Sequence, residues 1–283
     1  MYRVINTTGR SCLVYKEGKL LQAGLQGKLL FNKQTVVAGD FVKVHQEGEI
    51  TLISEVMPRK NELYRPRVAN VDNVVIVTSL TITDKDLFTL NKYIALVEVM
   101  GLNVILLFTK KDIVGEDAGI SLFVNEYKNQ GYKTFQISNM HDSKEFSEFL
   151  KEISKGLNVF TGMTGAGKSR TLNNILQNEV QRVQNVSEYT NKGRHTTTSS
   201  KLYNFEEGFI CDTPGFSSFD IQGVTQQQLA HSYKFFQNHI TDCKFNDCLH
   251  TQETQGCYVV EAVKRNEFPM FIYEDYIKFL KEV

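Results

Sequence analysis

The stretch "NVFTGMTGAGKSRTLNNIL", residues 158–176, limits what this 283-residue chain can fold into more than any other. An apolar segment leads into Gly162-x4-Gly167-Lys168-Ser169, and a helix-forming run follows at once. Gly162, Gly165 and Gly167 allow backbone conformations in which successive N–H groups turn inward towards phosphate oxygens. A helix opening near Lys168 adds the positive end of its dipole. Lys168 brings a point charge to the β- and γ-phosphates, and the Ser169 hydroxyl is placed to ligate Mg²⁺. Strand, loop and helix in this order predict a P-loop nucleoside-triphosphate site in an α/β domain.

The surrounding sequence has the rhythm such a domain needs. "VDNVVIVTSL" and "GLNVILLFTKKD" read as buried strands, with an amphipathic helix, "KDLFTLNKYIALVEVM", between them. Helices near 117–130 and 143–155 flank a strand at "YKTFQIS". Continuous apolar strands alternating with helices indicate a mostly parallel sheet covered on both faces. Residues 1–57 differ, with short alternating strands and closely spaced Gly turns, as in a small antiparallel barrel of the OB type. The segment Pro58–Pro66 reads as a linker. Residues 223–283 read as helix-rich around a Cys/His cluster. The expected division is a barrel over 1–62, a nucleotide domain over 63–222 and a helical module over 223–283.

"GFICDTPGF" ends an apolar strand in Asp212-Thr213-Pro214-Gly215. An acid at such a strand end holds Mg²⁺ in P-loop proteins, and Gly215 can offer its N–H to the γ-phosphate without a side chain in the way. The polar stretch "NKGRHTTTSSKLYNF" reads as a mobile loop of the kind that switches with the γ-phosphate. Thr196, Thr197 and Thr198 are all able to complete the Mg²⁺ shell, and Thr197 is taken as the candidate. Ras-like proteins position the attacking water with a Gln just after this Asp-x-x-Gly run. Here that residue is Phe216, and His195 is the nearest side chain able to hydrogen-bond water.

Thr109-Lys110-Lys111-Asp112 follows the second buried strand. A carboxylate accepts two parallel hydrogen bonds from guanine N1–H and N2–H₂, whereas adenine has no donor at N1. Losing such a buried pairing costs about 1–3 kcal/mol, and more for a charged group. Asp112 suits that role, with the Lys110 stem over the base and the Thr109 hydroxyl tying neighbouring loops. Ser138-Asn139, at the end of the next strand, is positioned to back the base. These base-reading motifs lie upstream of the phosphate loop. The order is that of a GTP-binding domain cut open at a different point, which is physically cheap when the original ends lie close together.

Cys243-x4-Cys248-x-His250-x6-Cys257 supplies three thiolates and an imidazole, a closed set suited to structural Zn²⁺. Together "TKKD", "GMTGAGKSRT", "KGRHTTT", "DTPGF" and this cluster resemble the ribosome small subunit-dependent GTPase A family, the RsgA/YjeQ circularly permuted GTPases, over the whole chain. The resemblance implies an OB barrel, a permuted GTPase domain and a zinc module. It also implies Mg²⁺-dependent GTP hydrolysis to GDP on the small ribosomal subunit, stimulated by the subunit and linked to its late maturation. It places GTP binding on 109–112 and 162–170, which adds Met163, Thr164, Ala166 and Arg170, and a catalytic role on His195.

Composition is compatible with this picture. Residues 1–66 hold ten Lys/Arg against six Asp/Glu, although the chain is neutral overall. That basic balance fits contact with rRNA as well as an ordinary solvated surface. No apolar run approaches the roughly 20 residues of a membrane span, and the first residues lack a signal-peptide layout. A cytoplasmic monomer is the expectation.

Overall fold

The computed structural model describes residues 1–9, 11–32, 34–64, 66–115, 118–141, 143–183, 200–212 and 223–283. By compactness the chain forms two units. One comprises Met1–Asn73, Leu150–Thr161 and Ser169–Phe216, the other Val74–Phe149, Gly162–Lys168 and Ser217–Val283.

In the first unit, β1 (Tyr2–Thr8), β2 (Ser11–Lys16), β3 (Lys19–Leu25), β4 (Phe41–Glu47) and β5 (Ile50–Val56) close a barrel in the order β1-β2-β3-β5-β4. This is the OB-type arrangement, with β3 and β5 parallel and β1 returning antiparallel to β4. Alternation sends Val4, Cys12, Val14, Ala23, Val42 and Ile53 inward. Leu29 joins them from a short helix, α1 (Gly27–Phe31), in a stretch the sequence pattern assigned to strand.

The expected linker carries structure as well. β6 (Glu62–Tyr64) pairs antiparallel with β7 (Arg67–Ala69). Arg59 fixes this hairpin to the barrel through a fork onto the fully buried Asp40, at 2.7 and 2.8 Å, and a contact with Glu62. Pro58 and Pro66 bracket the hairpin strand, and the local sequence shows the breaks without the long-range pairing that rescues them.

The middle of the chain alternates strands and helices: β8 (Asn73–Ser79), α2 (Asp84–Val99), β9 (Asn103–Thr109), α3 (Lys111–Val114), α4 (Ala118–Asn129), β10 (Lys133–Gln136), α5 (Lys144–Glu152), β11 (Lys155–Gly162), α6 (Lys168–Val183), β12 (Leu202–Phe205) and β13 (Glu207–Asp212). In the second unit the strands run in the order β10-β9-β8, and in the first in the order β11-β13-β12. β9 and β10 are parallel, as are β11 and β13. β12 is an antiparallel edge strand on β13. Its residues "LYNF" fall in the segment read as a loop, because a four-residue edge strand is too short to show periodicity.

The C-terminal residues form α7 (Gln226–Ala230), α8 (Lys234–His239), a 3-10 turn at Ile240–Asp242, α9 (Tyr258–Lys264) and α10 (Met270–Leu280). Within the second unit a buried polar network joins this module to α2. Asn91 donates to Asp275 at 2.8 Å and accepts from the Tyr127 hydroxyl at 2.7 Å, and Lys278 donates to the other Asp275 oxygen at 2.9 Å. Each buried partner satisfies the next, so the network adds order without stranding a polar group. Among the described residues no helix is long and apolar enough to cross a membrane.

Candidate functional site

Strand β9 ends in Thr109, a buried residue whose polarity needs an explanation. Its hydroxyl donates to the Ala166 carbonyl at 2.5 Å and lies 3.3 Å from the Thr78 carbonyl. The first contact ties the 109–112 loop directly to the 162–168 loop. Lys110 then takes a left-handed conformation, φ 64° and ψ 33°, which turns the chain sharply into α3. After the turn the Lys111 N–H donates to the Ile137 carbonyl at 3.1 Å, fixing the third loop, and Asp112 lies exposed in the first turn of α3.

In that third loop the Ser138 hydroxyl accepts from the Met140 N–H at 3.0 Å, a local turn that encloses Asn139. A Cβ added to Gly167 would lie 3.1 Å from the Thr109 hydroxyl oxygen and 3.2 Å from the Asn139 amide nitrogen. Base loop, backing loop and phosphate loop therefore converge on one glycine. Gly167 also sits at φ 89°, so both space and backbone exclude a side chain there.

At the other end of the phosphate loop, a Cβ on Gly162 would overlap the Val77 carbonyl oxygen. The loop closes on itself through the Ala166 N–H, which donates to the Met163 carbonyl at 3.1 Å. Thr164 and Gly165 form its exposed crest, Ala166 is buried, and Lys168 opens α6, with Ser169 and Arg170 exposed behind it. Asp212 ends β13, half-buried. His195, Thr197 and Gly215, together with Thr196, Thr198 and Phe216, lie outside the described residues.

One supporting residue had no signal in the sequence. Glu145, in the first turn of α5, accepts from the Gln136 N–H at 2.7 Å and pairs with the Lys111 ammonium at 3.4 Å. A single Glu at a helix start is ordinary capping chemistry, and only the fold brings Lys111 to it. The Lys111 side chain thus braces the loop from behind.

The second centre is the cluster of Cys243, Cys248, His250 and Cys257, all buried, with donor atoms within 4.8 Å of one another. His250 Nδ1 lies 3.7 Å from Cys243 Sγ and 3.5 Å from Cys257 Sγ. Backbone N–H groups of His250 and Val260 point at the sulfurs of Cys248 and Cys257. Such donors stabilise thiolate. Burial alone works against ionisation: it pushes the Cys257 thiol up to about 12 and the His250 ring down to about 4. A neutral imidazole and three thiols closing on one point match the donor set of a divalent metal, whose charge reverses the thiol preference. The four residues are placed to hold a metal ion.

Three comparisons with known proteins agree. A family model for RsgA GTPase matches residues 56–222. The small ribosomal subunit biogenesis GTPase RsgA of Malacoplasma penetrans is 35% identical over 264 residues, covering 92% of this chain and 91% of that protein. The protein of the same description from Mycoplasmopsis agalactiae is 39% identical over 262 residues, covering 90% and 88%. Among solved structures, YloQ, described as a circularly permuted GTPase, superposes with a TM-score of 0.83 at 26% identity, over 99% of this chain and 93% of its own. YjeQ from Thermotoga maritima gives 0.83 at 29%, over 99% and 97%.

Proposed function

The chain belongs to the RsgA GTPase family, and on that premise we propose that it hydrolyses GTP to GDP and phosphate while bound to the small ribosomal subunit, whose late maturation it assists. The observation that carries this reading is the convergence of Thr109, Asn139 and Gly167. Motifs that read a guanine and motifs that cradle phosphates meet there, although their order along the chain is rotated.

In this reading Asp112 selects guanine, with Lys110, Lys111, Ser138 and Asn139 around the base. Residues 162–170 hold the phosphates, and Gly215 meets the γ-phosphate. Ser169, Asp212 and Thr197 hold Mg²⁺, which when bound neutralises charge developing on the phosphate oxygens. Phe216 has no polar atom with which to hold water, so His195 orients the nucleophile by hydrogen bonding. The Cys/His cluster holds one structural Zn²⁺: with four protein donors it leaves no coordination position for substrate. The basic barrel supplies contacts to rRNA, and the protein works as a cytoplasmic monomer whose GTP state favours subunit binding and whose GDP state favours release.

The test is hydrolysis of GTP and of ATP, with and without small subunits, by the native protein and by His195→Ala. Expected are GTP preference, stimulation by subunits, and a loss in the variant of about 10²-fold or more. Absence of subunit stimulation in the native protein would overturn the reading.

A further inference from the structure

Within the first unit, the barrel is joined to the metal-acid strand through a desolvated cation. Arg3 on β1 has Tyr15 on β2 and Phe41 on β4 as its register partners. These three side chains form a row across the barrel, and Phe209 of β13 meets it. The Arg3 guanidinium carbon lies 4.9 Å from the Phe41 ring centre and 5.1 Å from that of Phe209. Tyr15 meets Phe209 edge-on at 5.5 Å. Arg3 Nη2 donates to the Asn70 carbonyl at 3.0 Å, while its Nε is buried with no hydrogen-bond partner. Burial pushes the guanidinium pKa down, and Asp72 opposes that shift. A charge held this way costs free energy that an aliphatic side chain would not. Two aromatic faces return part of it, and a cation between desolvated rings contributes more than one in water.

The far side of the contact is equally constrained. Leu157 on β11 is the register partner of Phe209. Asp72 grips the Leu157 backbone twice: its carboxylate accepts from the Leu157 N–H at 2.7 Å, and its own N–H donates to the Leu157 carbonyl at 2.9 Å. The fully buried Asn158 donates to the Ile153 carbonyl at 2.8 Å, lies 3.5 Å from the Phe209 carbonyl, and accepts from Asn73 at 2.8 Å. Arg3, Asn70, Asp72, Leu157 and Phe209 thus close a circuit that fixes β13. Three residues beyond Phe209, roughly 10 Å along an extended strand, β13 ends at Asp212.

We propose that the Arg3–Phe209 clamp is a positioning device: it makes the placement of Asp212 depend on what the barrel binds, and so couples docking of the small subunit to affinity for Mg²⁺·GTP. The inference rests on the function proposed above. Linkage requires that nucleotide and subunit then raise each other's affinity by one common factor. Arg3 acts through Phe209, the residue its guanidinium faces.

The experiment titrates a fluorescent, non-hydrolysable GTP analogue with Mg²⁺ into the full chain, with and without saturating small subunits. Binding to the subunits is followed separately by co-sedimentation. In the native protein the dissociation constant should fall by about fivefold or more when subunits are present. In Arg3→Ala and Phe209→Leu that fall should shrink below about twofold, with affinity in the absence of subunits within about twofold of native. Arg3→Lys should restore only part of the effect, because an ammonium lacks the flat face that stacks between rings. Phe209→Leu leaves the barrel sequence intact and decides the matter if Arg3→Ala folds poorly. A purely structural clamp would lower the melting temperature in these variants and leave the ratio of affinities unchanged, and that result would overturn the proposal. Native protein that binds subunits without any change in analogue affinity would also overturn it, with the proposed function intact. Native protein that does not sediment with subunits would instead remove the premise.

Discussion

The nucleotide loops and the Cys/His cluster are both assembled from irregular backbone in the second unit, yet they are held by different means. The loops hold one another. Thr109 bonds to Ala166, Lys111 to Ile137, and Gly167 leaves just enough room for the neighbours that crowd it. The cluster brings four buried donors to one point, where burial resists the thiolate state that a metal requires of its cysteines. The loops should therefore keep their shape without ligand, whereas the region around the cluster should depend on its ion. Preorganised sites bind without an ordering cost, and metal-closed sites draw their folding free energy from the metal.

Removing the metal is the strongest way to break this contrast. Chelation, or Cys257→Ser, should unfold the segment around α9, since structural Zn²⁺ contributes on the order of 10 kcal/mol to small sites. Circular dichroism should show loss of helix, and readdition of Zn²⁺ should restore it in the native protein alone. If helicity and melting temperature are indifferent to chelator, the cluster holds itself and the contrast fails.

On the nucleotide side, Lys168→Ala should reduce GTP hydrolysis by about 10²-fold or more while leaving the melting temperature near native, because the charge acts on the bound phosphates and the transition state. Asp112→Ala should weaken GTP binding by roughly 1–3 kcal/mol and narrow the preference over ATP, read by competition.

A pH experiment separates the cluster from its neighbourhood. Glu98 at the end of α2 is buried, accepts from the Tyr132 hydroxyl at 3.0 Å, and burial raises its pKa to about 7, with Lys234 opposing the shift. A carboxyl raised in the folded state stabilises the fold fully below its unfolded pKa near 4.5. That contribution is lost as pH rises through about 7. Native protein should thus lose melting temperature relative to Glu98→Gln between pH 5 and pH 8. A constant difference across that range would show that Glu98 does not titrate there.

The smallest effect tests the tie between loops. Thr109→Val removes the hydroxyl, keeps the shape and leaves the Ala166 carbonyl without that donor, at a cost of about 1 kcal/mol in stability and a modest loss of nucleotide affinity. Thr109→Ser should recover both. A Val variant equal to native in affinity would show that the loops are held by packing alone.

These contrasts also mark what could be read from residues alone. The strand, turn and helix around Gly162, Gly167 and Lys168 were legible because closely spaced glycines separate an apolar run from a helix-forming one. Cys243, Cys248, His250 and Cys257 were legible because four metal-binding residues crowd into fifteen positions. The barrel strands showed through alternation. The hairpin β6–β7 did not, because its pairing depends on Arg59 reaching back to Asp40, nineteen residues away. Glu145, Asn91 and Arg3 were equally silent, since each is an ordinary residue in its local sequence. Their roles come from partners 34, 184 and about 200 positions away, brought to them only by the fold.

The bond between Asn91 and Asp275 has a consequence for the order in which the chain is made. Synthesis delivers α2 long before α10, so the Asn91 side chain waits through 184 residues of translation for its acceptor. During that interval α2 carries an apolar face and a polar side chain that the finished protein hides completely. Domains complete early in a chain usually fold as they emerge. Here the closing step belongs to α10, and a message truncated before the codon for Asp275 would yield a product in which α2 is left open to chaperones and proteases.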